Sequence, residues 1–185
     1  MGSAKTSIEP EIRDFILAQR MFFVASAPLS GDGHVNLSPK GLDTLRILDD
    51  RTVAYFDFVG SGAETIAHLR ENGRMTIMFC SFDGGPKILR LYGRGEAIEP
   101  HDPQFAALRD HFPPEFAGRA IIRLHVTRVA VSCGFGVPLY SYVGERSELT
   151  DWCDRKGADG LREYQEKKNA TSLDGLPALR WIAGK

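Results

Sequence analysis

Apolar residues recur along the chain in two periods, one helical and one alternating, and the switches between them mark out its elements. Ile12, Phe15 and Ile16 fall on one side of a helical wheel behind Pro10, which predicts a first helix from Glu9 to about Arg20. Residues 21–27 are dense in strand formers, Ser30-Gly31-Asp32-Gly33 supplies a turn, and residues 34–39 are extended, so this region reads as a hairpin. Residues 52–58 form a third strand. Gly60-Ser61-Gly62 then opens a helix from Ala63 to about Glu71 that Asn72-Gly73 stops. Residues 74–82 and 88–98 are two further strands joined by a turn, Asp102-Pro103 starts a helix running to about His111, and residues 120–132 form a last long strand. Six strands in meandering order, with two short helices between them, predict a mainly β fold: a six-stranded β-barrel with peripheral helices. A doubly wound sheet would need a helix between nearly every pair.

After Gly136 the pattern changes. Residues 145–168 hold 13 charged positions in 24, 7 acidic and 6 basic. Leu149, Trp152 and Cys153 share one face, and Leu161, Tyr164 and Gln165 another, which predicts a polar helical hairpin with enough apolar surface to dock but not to stand alone. The chain therefore divides into a barrel over residues 1–135 and a C-terminal helical extension over 136–185, packed on the barrel or on a partner.

Charge and cysteine usage narrow the function classes. Lys and Arg number 23 against 24 Asp and Glu, a net charge of -1, so no basic field holds a nucleic acid or an acidic membrane. The apolar run at 21–25 is far short of the roughly 20 residues that span a bilayer. Cys80, Cys133 and Cys153 are odd in number and lack a C-x-x-C pair, which fits a reducing cytoplasm rather than a disulfide framework or zinc cluster. Met1 to Thr6 match the loose N-myristoylation pattern without further support. The five histidines show no metal-ligand spacing, so no metal is expected, and neither a nucleophile elbow nor a nucleoside-phosphate loop is present. Gly93 and Gly95 lie inside a strand, where glycine marks a bend or bulge.

Two stretches carry candidate chemistry. Asn36 to Asp43 ends a strand with polar groups, a proline, and a lysine followed by glycine, an arrangement that offers backbone N–H groups and a cation to a flat heterocycle. Residues 60–65 place hydroxyls and free N–H groups at a helix N-terminus, a ready anion site. The competing reading there is a capping box between Ser61 and Glu64, and the competing reading of Lys40 is a solvated surface lysine. Phe22, Phe23, Tyr55, Phe56, Phe58, Phe79 and Phe82 are read as core, and Cys80 as a small buried hydrophobe.

The order of these pieces resembles the pyridoxamine 5'-phosphate oxidase-like family of FMN-binding split barrels. The resemblance runs from about Phe15 to Ser132. It rests on Lys40-Gly41-Leu42-Asp43, on residues 55–58 leading into Gly60-Ser61, on Glu71-Asn72-Gly73-Arg74 before the next strand, and on the return at 91–96. It implies an FMN-dependent oxidoreductase that is a homodimer, with the cofactor in a cleft at the subunit interface and a small-molecule substrate. By position, Asn36, Leu37, Ser38 and Lys40 would run along the flavin ring, with Lys40 at its polar edge. Asp57 and Phe58 would follow the ribityl chain, Ser61, Gly62 and Thr65 would meet the phosphate, and Lys87 or Arg90 would add a cation. Departures accompany this. Val35 stands where the true oxidases carry Arg, Gly62-Ala63 replace an Arg-Lys pair, and the arginine-rich C-terminus is absent, so the resemblance is to the wider family and not to an authentic pyridoxamine phosphate oxidase. The family also leaves open a flavin carrier or sensor without turnover, and a deazaflavin- or haem-binding relative.

Overall fold

The computed structural model describes residues 5–183. Met1 to Ala4 of the myristoylation match lie outside the described residues. Seven strands form one antiparallel sheet: β1 (Phe22–Ser26), β2 (Asn36–Lys40), β3 (Leu45–Ile47), β4 (Thr52–Phe58), β5 (Arg74–Cys80), β6 (Lys87–Ile98) and β7 (Gly118–Cys133), in the spatial order β2-β1-β5-β6-β7-β4-β3. The helices are α1 (Pro10–Ala18), α2 (Glu64–Glu71), α3 (Phe105–Arg109), α4 (Glu148–Lys168) and α5 (Arg180–Ala183). The expected strands and the mainly β class hold. The seventh strand, β3, was not expected, because three residues are too few to show an alternation.

The sheet curls into a barrel that is split rather than closed. Its two edges, β2 and β3, are consecutive in sequence and joined by residues 41–44 alone, yet they share no ladder. Leu42 and Asp43 take positive φ values of 60 and 52°, a turn that non-glycine residues rarely adopt. Thr44 is pinned by donating to the Gly41 carbonyl at 2.7 Å. Curvature comes from the long central pair: β6 and β7 lose register between Tyr92 and Gly93, and a Cβ on Gly93 would lie 1.9 Å from the His125 carbonyl oxygen. The glycine is thus the bulge residue, as its place inside a strand predicts.

Ile77, Leu89, Leu91, Ile122 and Leu124 fill the interior with no measurable exposure, and Ile12 and Ile16 of α1 join them. Phe22, Tyr55, Phe56 and Phe79 are core aromatics as expected, and Cys80 is buried, whereas Phe23, Phe58 and Phe82 are only partly covered. Across the split, the carboxylate of Asp57, 1% exposed, receives Lys40 Nζ of β2 at 2.8 Å on one oxygen and Arg119 Nε of β7 at 2.8 Å on the other. This ion triad joins the free edge β2 to the opposite side of the sheet.

Two helices begin differently from the sequence expectation. The helix expected at 102–111 shrinks to α3, because the Asp102 carboxylate accepts the N–H of Glu99 behind it at 2.6 Å and so does not cap the turn ahead. The Ser61–Glu64 capping box is absent. Helix α2 has Ala63 at its N-cap with no side-chain cap, so Glu64 follows the cap directly, too early to reach back to it. The polar hairpin does form within α4. Gly157 breaks that helix at φ 63, ψ 175, and the rings of Trp152 and Tyr164 meet edge-on at 5.0 Å, although twelve residues of straight helix would separate them by about 18 Å. Cys153 and Leu161 bury themselves against Val59 of the barrel, with Ala117 alongside. Further on, Ala178 and Leu179 enter the barrel's own core. They are held by fully buried Glu99, which accepts the N–H of Arg180 at 3.0 Å and pairs with Arg70.

Two outcomes follow. Gly93→Ala should lower stability by about 1–3 kcal/mol, the usual cost of overpacking, read as an earlier urea midpoint with unchanged slope. Burial pushes the Asp57 carboxyl up, but Arg119 and then Lys40 outweigh it and hold it at about 2. With the folded value depressed below the ordinary 3.9 or so, its contribution is complete above pH ~4 and fades as pH falls toward 2. Asp57→Asn should cost about 3–5 kcal/mol at neutral pH by leaving two cations unanswered, and should flatten the acid limb of the stability profile.

Candidate functional site

The mouth of the split forms a cleft of about 280 Å³ between the polar face of β2, the start of α2 and the first residues of β7. Alternation along β2 decides which side chains face it. Asn36, Ser38 and Lys40 line the cleft, while Leu37 points to the opposite side and is 62% exposed. Phe58 and Phe56 form an apolar wall, and Gly60, Gly62, Glu64 and Thr65 form the floor where α2 begins.

The polar face is wired together. Ser38 Oγ donates to Asn36 Oδ1 at 2.8 Å, and Asn36 Nδ2 donates to Thr65 Oγ1 at 3.0 Å and to Ser26 Oγ at 3.4 Å. Ser26 Oγ lies 3.0 Å from Nδ1 of fully buried His68, whose Nε2 has no hydrogen-bond partner. Burial holds the His68 ring below the usual imidazole range despite the pull of Asp174, Glu64 and Glu71, so the chain of groups behind Asn36 is neutral at pH 7. Lys40 is fixed by Asp57 and by the Tyr55 ring, whose centroid is 5.6 Å from Nζ. Tyr55 is itself fully buried, and burial, then the negative charge of Asp57, push its hydroxyl well above the ordinary phenol range.

Arg119 completes the site and was not singled out in the sequence. It is 5% exposed, lines the cleft, and donates to Asp57 and to the Gly60 carbonyl at 3.2 Å. The available signal was a lone arginine entering an otherwise apolar strand start, Ala120-Ile121-Ile122, where a buried charge demands a partner. Asp57 lies just beneath the cleft rather than in its wall. Of the phosphate candidates, Gly62 and Thr65 line the floor and Ser61 faces solvent. Lys87 and Arg90 are not brought to this cleft within the subunit. Lys87 Nζ sits 4.8 Å from the Phe15 ring, and Arg90 donates to Ser132 Oγ at 3.1 Å.

The first turn of α2 is the clearest anion feature, because no side chain caps its N–H groups and the helix dipole points its positive end into the cleft. The Glu64 carboxylate stands at that same place. A Cβ on Gly62 would lie 2.3 Å from Glu64 Oε2, and Glu64 Oε1 accepts the N–H of Leu173 from the C-terminal extension at 3.2 Å. The extension also contributes Leu149 to the wall, and Asn169 Nδ2 donates to the Gly60 carbonyl at 2.8 Å. Among the described residues no group of three or more His, Cys, Asp and Glu side chains could hold a metal ion, and no helix is long and apolar enough to cross a membrane.

Comparisons with known proteins agree with this architecture. The fold resembles Group A Streptococcus HupZ at a TM-score of 0.54 and 24% identity, covering 66% of this chain and 91% of that one. It also resembles a Clostridium acetobutylicum protein related to general stress protein 26 of B. subtilis, of the pyridoxinephosphate oxidase family, at 0.50 and 12%, covering 66% and 86%. In sequence, the chain is 44% identical over 190 residues to the pyridoxamine 5'-phosphate oxidase family protein ustO of Aspergillus flavus, covering 94% of this chain and 76% of that protein. The family model described as pyridoxamine 5'-phosphate oxidase matches residues 8–133. A split barrel with this strand order, a match over the whole barrel and a relative at that identity together place the chain in the pyridoxamine 5'-phosphate oxidase family.

Proposed function

We propose that the protein is an FMN-dependent oxidoreductase that works on a small-molecule substrate as a cytoplasmic homodimer, with the cofactor at the subunit interface. The observation that carries this reading is the convergence, in one cleft, of three features: the polar face of β2, the uncapped start of α2, and a buried arginine. Asn36, Ser38 and Lys40 supply donors and acceptors for the edge of a flavin ring, Phe58 an apolar surface, and Thr65, Gly62 and Arg119 the setting for a phosphate. When bound, the flavin would accept or deliver a hydride. The protein's part is to hold the ring, set its electrostatic surroundings through Lys40, and keep Asn36 oriented through Thr65, Ser26 and His68.

A cleft of about 280 Å³ lies at the small end of ligand sites, which run from about 300 to 1,000 Å³. This favours a second subunit supplying the remaining wall, and exposed Val35 and Leu37 on the outer side of β2 offer apolar surface for it. Light scattering at micromolar concentration should report about twice the 20.5 kDa chain mass. A monomer that keeps FMN would remove the interface from the proposal.

The phosphate is tested through Glu64. Its carboxylate shares the α2 start with the proposed phosphate, so Glu64→Gln should tighten FMN about three- to tenfold at low salt while leaving riboflavin, which has no phosphate, unchanged. Titration should also show wild-type protein preferring FMN to riboflavin. Equal affinities in both proteins would mean that the phosphate is not read at this helix. Reduction of the bound flavin by NADH or NADPH, or its turnover with a substrate, separates an enzyme from a carrier.

A further inference from the structure

A second, larger cleft of about 590 Å³ lies on the other side of Pro39, Lys40 and Gly41, which line both clefts. Its far wall is the strap 137–146 between β7 and α4, which has no regular structure. The strap is moored at two points. The Tyr140 N–H donates to the Phe82 carbonyl at 2.8 Å with the two rings 5.5 Å apart, and the Tyr142 hydroxyl donates to Glu145 at 2.8 Å while Arg20 covers its ring at 5.3 Å. At and beside these moorings, Met21, Pro39, Phe82, Tyr140, Tyr142 and Val143 line a common space, with Val143 98% exposed at its mouth.

The rim charges nearly cancel. Of the basic side chains, Lys40 is answered by Asp57, Arg146 by Glu148, and Arg20 packs on the Tyr142 ring, while Asp83 and Glu145 belong to the same lining. The lining carries no surplus of positive charge to attract a phosphate or carboxylate. The volume falls within the range of small-molecule sites, and rings set around an apolar space with few polar groups are what such sites present to flat apolar ligands.

We infer that this cleft binds a neutral, aromatic small molecule, unphosphorylated, and that it does so beside the flavin cleft across the shared Pro39–Gly41 wall. The site rests on the lining of this cleft alone and stands independently of the function proposed above.

The test is equilibrium dialysis of the full chain, with and without FMN, against prodan, a neutral naphthyl ketone, with FMN binding titrated separately by flavin fluorescence. Wild-type protein should take up one prodan per chain. Val143→Asp and Tyr140→Asp, both at exposed positions that leave the core untouched, should each weaken prodan at least tenfold and change FMN affinity less than twofold. Absence of saturable uptake, or uptake insensitive to both substitutions, overturns the site. So does uptake that disappears as dilute chains associate, because the strap would then be covered by a second copy. If prodan binds with the expected sensitivity and FMN does not bind at all, the flavin reading falls and the apolar site stands.

Discussion

The molecule depends on a single buried carboxylate. Asp57 receives a cation from each side of an unsealed barrel, Lys40 from the free edge strand and Arg119 from the long strand β7, and it stands within a few ångströms of both. Hydrogen-bonded ladders hold every other pair of neighbouring strands, but none joins β2 to β3. Ion pairing, together with the short connection 41–44, therefore spans the opening. Taking three charges out of water is expensive, and burial in place of an apolar contact is explained by what the charges do at the rim: two donors are held rigidly at a cleft with no freedom to collapse into it. The cleft is in this sense a consequence of incomplete closure, and the same residues that tolerate the gap furnish its chemistry.

Much of this was legible in the residues. Strand β4 matches its expected bounds because five of its seven residues, Thr52, Val53, Tyr55, Phe56 and Phe58, are strand formers and Arg51 and Gly60 stand near its ends, and the bulge at Gly93 could be read because glycine has few other reasons to sit inside a long strand. Lys40, Asn36 and Ser38 were recognisable as a polar strand end, and the structure puts all three on one face. What could not be read were facts of distance in space. Nothing adjacent to Arg119 indicates that it meets Asp57, 62 positions earlier. Ser61 and Glu64 satisfy the spacing of a cap, but the backbone enters α2 through Ala63 and the motif goes unused. Leu37 sits in a polar stretch and still faces outward, because side-chain direction in a strand follows parity and not neighbourhood.

The C-terminal extension shows how a strongly charged segment becomes part of a folded core. Its amphipathic halves fold back at Gly157 and bury only Cys153 and Leu161, too little to hold them independently. The anchoring comes later, where Glu99 collects the N–H groups that begin α5 and draws Leu179 into the barrel. Through Asn169 and the Leu173 N–H this segment also touches both ends of the loop that carries Gly60 to Glu64. The family match stops at residue 133, so the part of the chain beyond it reaches the floor of the site as a structural support.

The two borders of the sheet are also unsuited to recruiting another strand. Pro39 removes a backbone donor from β2, and β3 offers only three residues of ladder. Main-chain pairing of copies across either border is thereby disfavoured, which leaves side-chain faces as the surfaces on which copies would meet. The open side of the barrel is for the same reason a poor template for aggregation.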